Sequence, residues 1–138
     1  MGIVIGIDVG DVRVGIALSD PEGRYAVPHG VVLRADSVAE REILRLITAL
    51  KVDTVVSGLP LGKDGTSNKQ CLKVENFCRR LKKRAKIRIV YVDEYLSSEE
   101  AKERLRSSGK KKLNPGDIDA VAASIILQGY LDGNGRLG

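Results

Sequence analysis

Hydrophobic positions recur along this chain at two different periods. From Ile3 to Val9 the large apolar residues Ile3, Ile5 and Ile7 alternate with smaller ones, and Val12, Val14, Ile16 and Leu18 repeat the pattern. A period of two belongs to a strand with one face buried, and Gly10-Asp11 between the runs signals a tight hairpin. A third run, Tyr25 to Leu33, is interrupted by Pro28 and Gly30, which predicts a bulge or a position at the sheet edge. Together these runs predict a meander of three antiparallel strands.

Past Ser37 the period changes. Ser37 and Glu40 form a capping-box pattern ahead of the apolar stripe Ile43, Leu44, Ile47 and Leu50, which predicts a helix. Asp53 to Leu59 reads as a short strand, Gly62 to Asn68 as a polar loop, and Leu72, Phe77, Cys78 and Leu81 as the apolar face of a second helix. Ile87 to Val92 is a fifth strand. Ser97 or Ser98 then caps a third helix, with Glu100 three residues after Ser97. Ser107 to Gly116 reads as a basic loop. Asp117 to Leu131 is a final helix with Val121, Ala122, Ile125, Ile126 and Leu127 as its apolar residues, and residues 133–138 are a frayed tail. The order β-β-β-α-β-α-β-α-α predicts an α/β domain: a mixed five-stranded sheet, three antiparallel strands and then alternating helix and strand, with helices on both faces. A doubly wound nucleotide fold would need a helix after the first strand, and neither GxGxxG nor GxxxxGK[ST] occurs.

Composition narrows the class. A chain of 138 residues, 43% hydrophobic and 30% charged, is an ordinary globular sequence, read as one domain over residues 1–132. No apolar run approaches the ~20 residues that cross a bilayer, and the opening Met1 to Asp8 lacks a basic stretch. A cytoplasmic protein without membrane contact is expected. Cys71 and Cys78 would lie about 10 Å apart on one helix, too far for a disulfide, and with one histidine in the chain a zinc centre is not supported. Both thiols read as small core residues.

Charge changes the picture more. The net charge of +5 is concentrated: Arg79, Arg80, Lys82, Lys83, Arg84, Lys86 and Arg88 follow one another without an acid, and Lys110, Lys111 and Lys112 form a second cluster. Such blocks suit a polyanion, although cations also collect at a helix C-terminus for its dipole alone. Against this basic background stand a few acids in telling places. Asp8 ends the first strand, Asp93 and Glu94 end the fifth, and Asp117 and Asp119 open the last helix. Each has a structural explanation as a turn or helix-entry residue. Jointly they suggest a metal site, because hard carboxylates select Mg²⁺ or Mn²⁺, and such ions activate water for phosphodiester hydrolysis. Strand alternation lets only one of Asp93 and Glu94 face the same site as Asp8.

At these positions the chain resembles the YqgF/RuvX family. The resemblance runs through Ile5-Gly-Ile-Asp-Val-Gly10, Arg13-Val-Gly-Ile-Ala17 and Ser19-Asp-Pro21, then Gly58-Leu-Pro-Leu61 with Asp64-Gly-Thr66. It continues in Val92-Asp-Glu94 with Leu96-Ser-Ser98 and Glu100-Ala101, and ends in Ile118-Asp-Ala-Val-Ala-Ala123 with Ile126-Leu-Gln128. It implies a ribonuclease H-like fold, Asp8, Glu94 and Asp119 as metal-binding and catalytic carboxylates, and Asp93 as the understudy to Glu94. It also implies that Arg13 and the loop from Gly58 to Thr66, Lys63 included, line a nucleic-acid groove. Tyr95 stands where the family usually has Arg, which removes a bidentate phosphate contact.

The expectation is therefore a Mg²⁺- or Mn²⁺-dependent endonuclease on structured nucleic acid. By resemblance its substrate is the 5′ end of precursor 16S rRNA. Branched DNA is the alternative, handled by a homodimer if the protein resolves Holliday junctions, since paired cuts require two sites. A nucleic-acid-binding protein without catalysis is the rival from another class. An ATP-binding relative of actin or sugar kinases is disfavoured because it needs a second lobe.

Overall fold

The computed structural model describes residues 2–61, 68–93, 97–109, 114–133 and 136–137. The meander is present as β1 (Ile5–Val9), β2 (Arg13–Ser19) and β3 (Ala26–Leu33). Between β1 and β2 the amide of Gly10 donates to the carbonyl of Arg13 (2.9 Å), so the hairpin tip is Asp11-Val12, one residue later than the Gly10-Asp11 signal. Opposite β2, the register of β3 passes from Gly30 to Pro28 and leaves His29 as the extra residue of a bulge. Strand β3 is also the sheet edge, so both devices read from Pro28 and Gly30 occur together. Asp20 closes the turn into β3 by accepting from the amides of Arg24 (2.7 Å) and Tyr25 (2.9 Å). The Tyr25 amide chiefly holds its carboxyl below the usual range. Ser19 accepts from the Val4 amide (2.8 Å) and donates to the Asp20 carbonyl (2.9 Å). Ser19-Asp20 is thus a turn-making part of the sequence.

A 3-10 turn, Ala35–Ser37, leads into α1 (Val38–Leu50). The expected capping box does not form. Asp36 and Ser37 take left-handed backbone angles (φ 57° and 59°), and the Ser37 hydroxyl makes no cap hydrogen bond. With Ser37 out of the extended conformation that a capping side chain needs, Glu40 turns inward instead. It is buried, and its carboxylate lies 3.4 Å from Arg80. Strand β4 (Thr54–Leu59), α2 (Lys69–Arg84), β5 (Arg88–Asp93), α3 (Ser97–Ser107) and α4 (Pro115–Leu131) complete the predicted order. On α2 the buried side chains are Cys71, Val74, Phe77, Cys78 and Leu81, whereas Leu72 is exposed. Asn68 caps this helix, accepting from the Cys71 amide (3.0 Å) while donating to the Pro60 carbonyl (2.8 Å).

The sheet order is β3-β2-β1-β4-β5 and then β6 (Arg136–Leu137), with β1, β4 and β5 mutually parallel. Strand β6 runs antiparallel to β5, where the sequence suggested only a frayed tail. One face carries Ile5, Ile7, Val14, Ile16, Val55 and Ile89 against Ile43 of α1 and Val74, Phe77 and Leu81 of α2. The other carries Val4, Ala17, Val56 and Val90 against Ala123, Ile126 and Leu127 of α4, and α3 packs on α4. Burial on both faces explains why β4 reads as a continuous apolar run instead of an alternating one. Among the described residues, no helix is long and apolar enough to cross a membrane.

Candidate active site

The strand register decides which acids meet. Asp8 of β1 stands directly opposite Gly15 of β2, and cross-strand partners project to the same side of a sheet. That side belongs to α4, because a Cβ on Gly15 would lie 2.1 Å from the Asp119 carbonyl oxygen, and one on Gly6 would lie 2.6 Å from the Leu127 Cβ. Two glycines, one on each central strand, thus let α4 rest on the bare backbone of the sheet. Ala120 and Ala123 line the same contact, and both are buried. Asp119 is thereby set down beside the partner of Asp8, both of them partly buried.

Arg13 lies two residues before Gly15, on the same side of β2. Its Nε donates to Oδ2 of Asp119 at 2.7 Å, with the two side chains 37% and 24% exposed. The residue expected on a nucleic-acid groove therefore holds one of the proposed metal ligands. Sequence spacing could not show this pairing, because 106 residues separate the two.

Asp93 pairs with Leu59, and both Leu59 and Tyr91 pack into the α1/α2 core. Two-residue alternation places Asp93 on that side of the sheet, opposite to Asp8. The structure therefore does not bring Asp93 to Asp8 and Asp119. Glu94, Tyr95, Lys63 and the Lys110, Lys111 and Lys112 cluster lie outside the described residues. Among the described residues, no group of three or more His, Cys, Asp or Glu side chains is placed to hold a metal. Asp117, the other acid opening α4, stands in its first turn next to Asn114, whose Nδ2 is 3.3 Å from the Asp117 carboxylate.

The cysteines take no part. Burial pushes the Cys78 thiol up to about 11, against hydrogen bonds with Ser57 and Tyr91 that pull it down. Burial likewise raises the Tyr91 phenol, helped by Cys78. Both cysteines are free and buried on the α2 side of the sheet, as core thiols should be.

The basic run stands elsewhere. Arg80 is tied to Glu40 and, with Arg34, lies over the Phe77 ring at 5.8 and 5.5 Å. Arg79 donates to Asn76 (2.8 Å) and Arg88 to the Thr54 hydroxyl (3.2 Å). Near the acidic edge stand Arg13, Arg34, which donates to the Gly10 carbonyl (3.0 Å), and Lys73, whose ammonium is 3.4 Å from Asp11 at the hairpin tip. Lys73 is a residue the sequence pattern did not single out, because it stands outside the two basic clusters, between the apolar Leu72 and Val74.

Comparison with known proteins agrees with this architecture. The family model described as "RuvX: Holliday junction resolvase" matches residues 2–133. A protein of Syntrophomonas wolfei subsp. wolfei named "Putative pre-16S rRNA nuclease" is 38% identical over 137 residues, covering 98% of this chain and 96% of its own. One of the same name from Maridesulfovibrio salexigens is 40% identical over 133 residues, covering 93% and 96%. Among solved structures, T. thermophilus RuvC in complex with a Holliday junction substrate superposes with a TM-score of 0.62 at 16% identity, over 100% of both chains. The yeast mitochondrial Holliday junction resolvase gives 0.54 at 10% identity, over 93% of this chain and 77% of its own. At such identities the structural likeness shows the fold, which is the ribonuclease H-like α/β architecture expected from the sequence.

Proposed function

The chain belongs to the RuvX Holliday junction resolvase family, and we propose that it hydrolyses phosphodiester bonds of structured nucleic acid at a divalent-metal site formed by Asp8, Asp119 and Glu94. The observation that carries this reading is the convergence of Asp8 and Asp119 on one side of the sheet, across the Gly15 contact. Asp93 faces the other way, and alternation carried one residue beyond β5 favours Glu94 as the third ligand. The donors fit the ion: all are hard carboxylates, and Asp8 and Asp119 are partly open to solvent, while the thiols lie buried behind the sheet. Asp8 and Asp119 would hold Mg²⁺ or Mn²⁺ from two different elements, and the chemistry so supplied would be an activated water and charge neutralisation at the leaving oxygen. Arg13 shares the Asp119 carboxylate with the ion and offers its remaining guanidinium N–H groups to a phosphate.

The names of the full-length relatives favour precursor 16S rRNA as substrate. The family description and the RuvC complex support a DNA junction as the second reading, with a homodimer for paired cuts. Precursor rRNA and four-way DNA junctions incubated side by side, with and without Mg²⁺ or Mn²⁺, separate the two. The Asp8→Asn variant should lose several orders of magnitude in cleavage and remain folded. Activity within about tenfold of wild type, or full activity in EDTA, would overturn the site.

A further inference from the structure

The basic run lies at the wrong end of the molecule to grip the bond being cut. Helix α2 connects the parallel strands β4 and β5, so it runs back against them, and its last turn arrives where those strands begin. Arg88 pairs with Thr54, and Val55 pairs with Ile5. The end of α2 is therefore level with the residue before Ile5, four positions short of Asp8, or about 13 Å at ~3.3 Å per residue. It is also on the other face. Phe77 and Leu81 of α2 pack with Ile5 and Ile7, whereas Asp8 and Asp119 belong to the α4 side.

Helix stability does not explain the run. The pairs Arg79 with Lys83 and Arg80 with Arg84 stand four residues apart, where like charges repel by roughly 0.2–0.5 kcal/mol each. Among the described residues Lys82, Lys83, Arg84 and Lys86 make no ion pair, and all four are exposed. A helix dipole is satisfied by one or two cations in the last turn. Here the charges continue beyond the helix through Lys86 to Arg88.

We propose that the C-terminal end of α2 and the turn into β5, with Lys82, Lys83, Arg84 and Lys86, form a second nucleic-acid contact that takes the phosphate backbone of a helix flanking the cleaved segment. The inference rests on the nucleic-acid reading above and adds its geometry: the substrate reaches around the sheet edge, so a straight helix meets one contact and a bent or jointed one meets both. Discrimination for folded substrates follows without base-specific contacts.

The test is binding, measured by fluorescence anisotropy without divalent metal from 50 to 200 mM KCl. It compares a straight DNA duplex of about 30 base pairs, which is stiff over this length, with two half-length duplexes joined by a short unpaired segment. Wild type should bind the jointed DNA about tenfold more tightly than the straight one. The variant K82Q/K83Q/R84Q/K86Q should lose that preference, and its log K against log salt slope on the jointed DNA should fall by about 3–4, at ~0.9 per phosphate contact. Lys83→Gln alone should remove about one unit, and thermal melting of both variants confirms folding. A retained preference with an unchanged slope overturns the proposal. So does equal wild-type affinity for the jointed and the straight DNA. Cleavage plays no part in this readout, so failure of the metal-site reading is seen separately in the Mn²⁺ assay.

Discussion

Replacing Gly15 by alanine tests the geometry of the site through its scaffold. The new Cβ would lie 2.1 Å from the Asp119 carbonyl oxygen, 2.5 Å from its carbon and 3.1 Å from the Ala120 nitrogen. All three are backbone atoms of a helix, so no rotamer change relieves the overlap; either α4 or β2 must move by more than an ångström. Overpacking of a well-filled core costs about 1–3 kcal/mol, and this overlap belongs at or above the upper end. With an unfolding entropy of ~2.1 cal/mol/K per residue, 1 kcal/mol corresponds to roughly 3 °C in a chain of this length, so Tm should fall by about 10 °C. The chemistry should suffer more than the fold. Displacing Asp119 by about 1 Å relative to Asp8 is worth on the order of 10²-fold in rate. Gly30→Ala is the internal control: nothing lies within 4 Å of its Cβ position, and that variant should melt within about 2 °C of wild type. Differential scanning calorimetry and single-turnover cleavage in Mn²⁺ read the two effects. A Gly15→Ala protein with wild-type Tm and rate would refute the packing of α4 on β2 as the device that places Asp119.

Further outcomes follow from the same register and contacts. Glu94→Gln should abolish metal-dependent cleavage while nucleic-acid binding persists, and Asp93→Asn should keep Mn²⁺ affinity within a few-fold; the reverse pattern, read by Mn²⁺ titration calorimetry and turnover, would move the ligand by one residue. Arg13→Gln should tighten Mn²⁺ binding by about tenfold, because a unit charge a few ångströms from a divalent ion repels it by roughly 1–2 kcal/mol even at high dielectric; unchanged or weaker binding would show that Arg13 does not compete for Asp119. Because Cys78 is raised to about 11 in the fold and titrates near 8.5 when unfolded, its burial favours the native state fully below pH ~8.5 and that contribution is lost as pH rises toward 11. Cys78→Ala should therefore show a shallower fall of Tm between pH 9 and 11 than wild type.

The sequence carried the sheet further than it carried the site. Alternation in Ile3–Val9 and Val12–Leu18, and the Pro28 and Gly30 interruptions, were sufficient for the meander and its bulged edge, because each signal is local. The capping box at Ser37 failed for a tertiary reason: Glu40 finds Arg80 on α2, forty residues on, and left-handed turns at Asp36 and Ser37 replace the cap. Leu72 fits the apolar spacing of α2 yet lies outside, because Val74 and Phe77 set the buried stripe one position around. The edge strand Arg136–Leu137 has no apolar run to announce it and exists only because β5 offers a free edge.

For the site, residue types were legible and partners were not. Asp8 and Asp119 could be singled out as carboxylates at a strand end and a helix start, but what joins them is Gly15, whose missing side chain is visible in the sequence only as an absence of preference. The same register that joins them turns Asp93 away, a distinction of one residue that no composition or spacing argument can make, since Asp93 and Glu94 are chemically alike. The basic run shows the converse. It was the strongest charge signal in the chain, but a run of charges carries no position relative to the acids. The direction of α2 between two parallel strands places it on the far face and at the far end. The parallel pairing of β4 and β5 fixes the direction of the helix that connects them, and its packing on Ile5 and Ile7 fixes its face. The separation of acidic centre and basic end is thus a consequence of topology, and any substrate that uses both must bend or carry a joint to pass around the sheet edge.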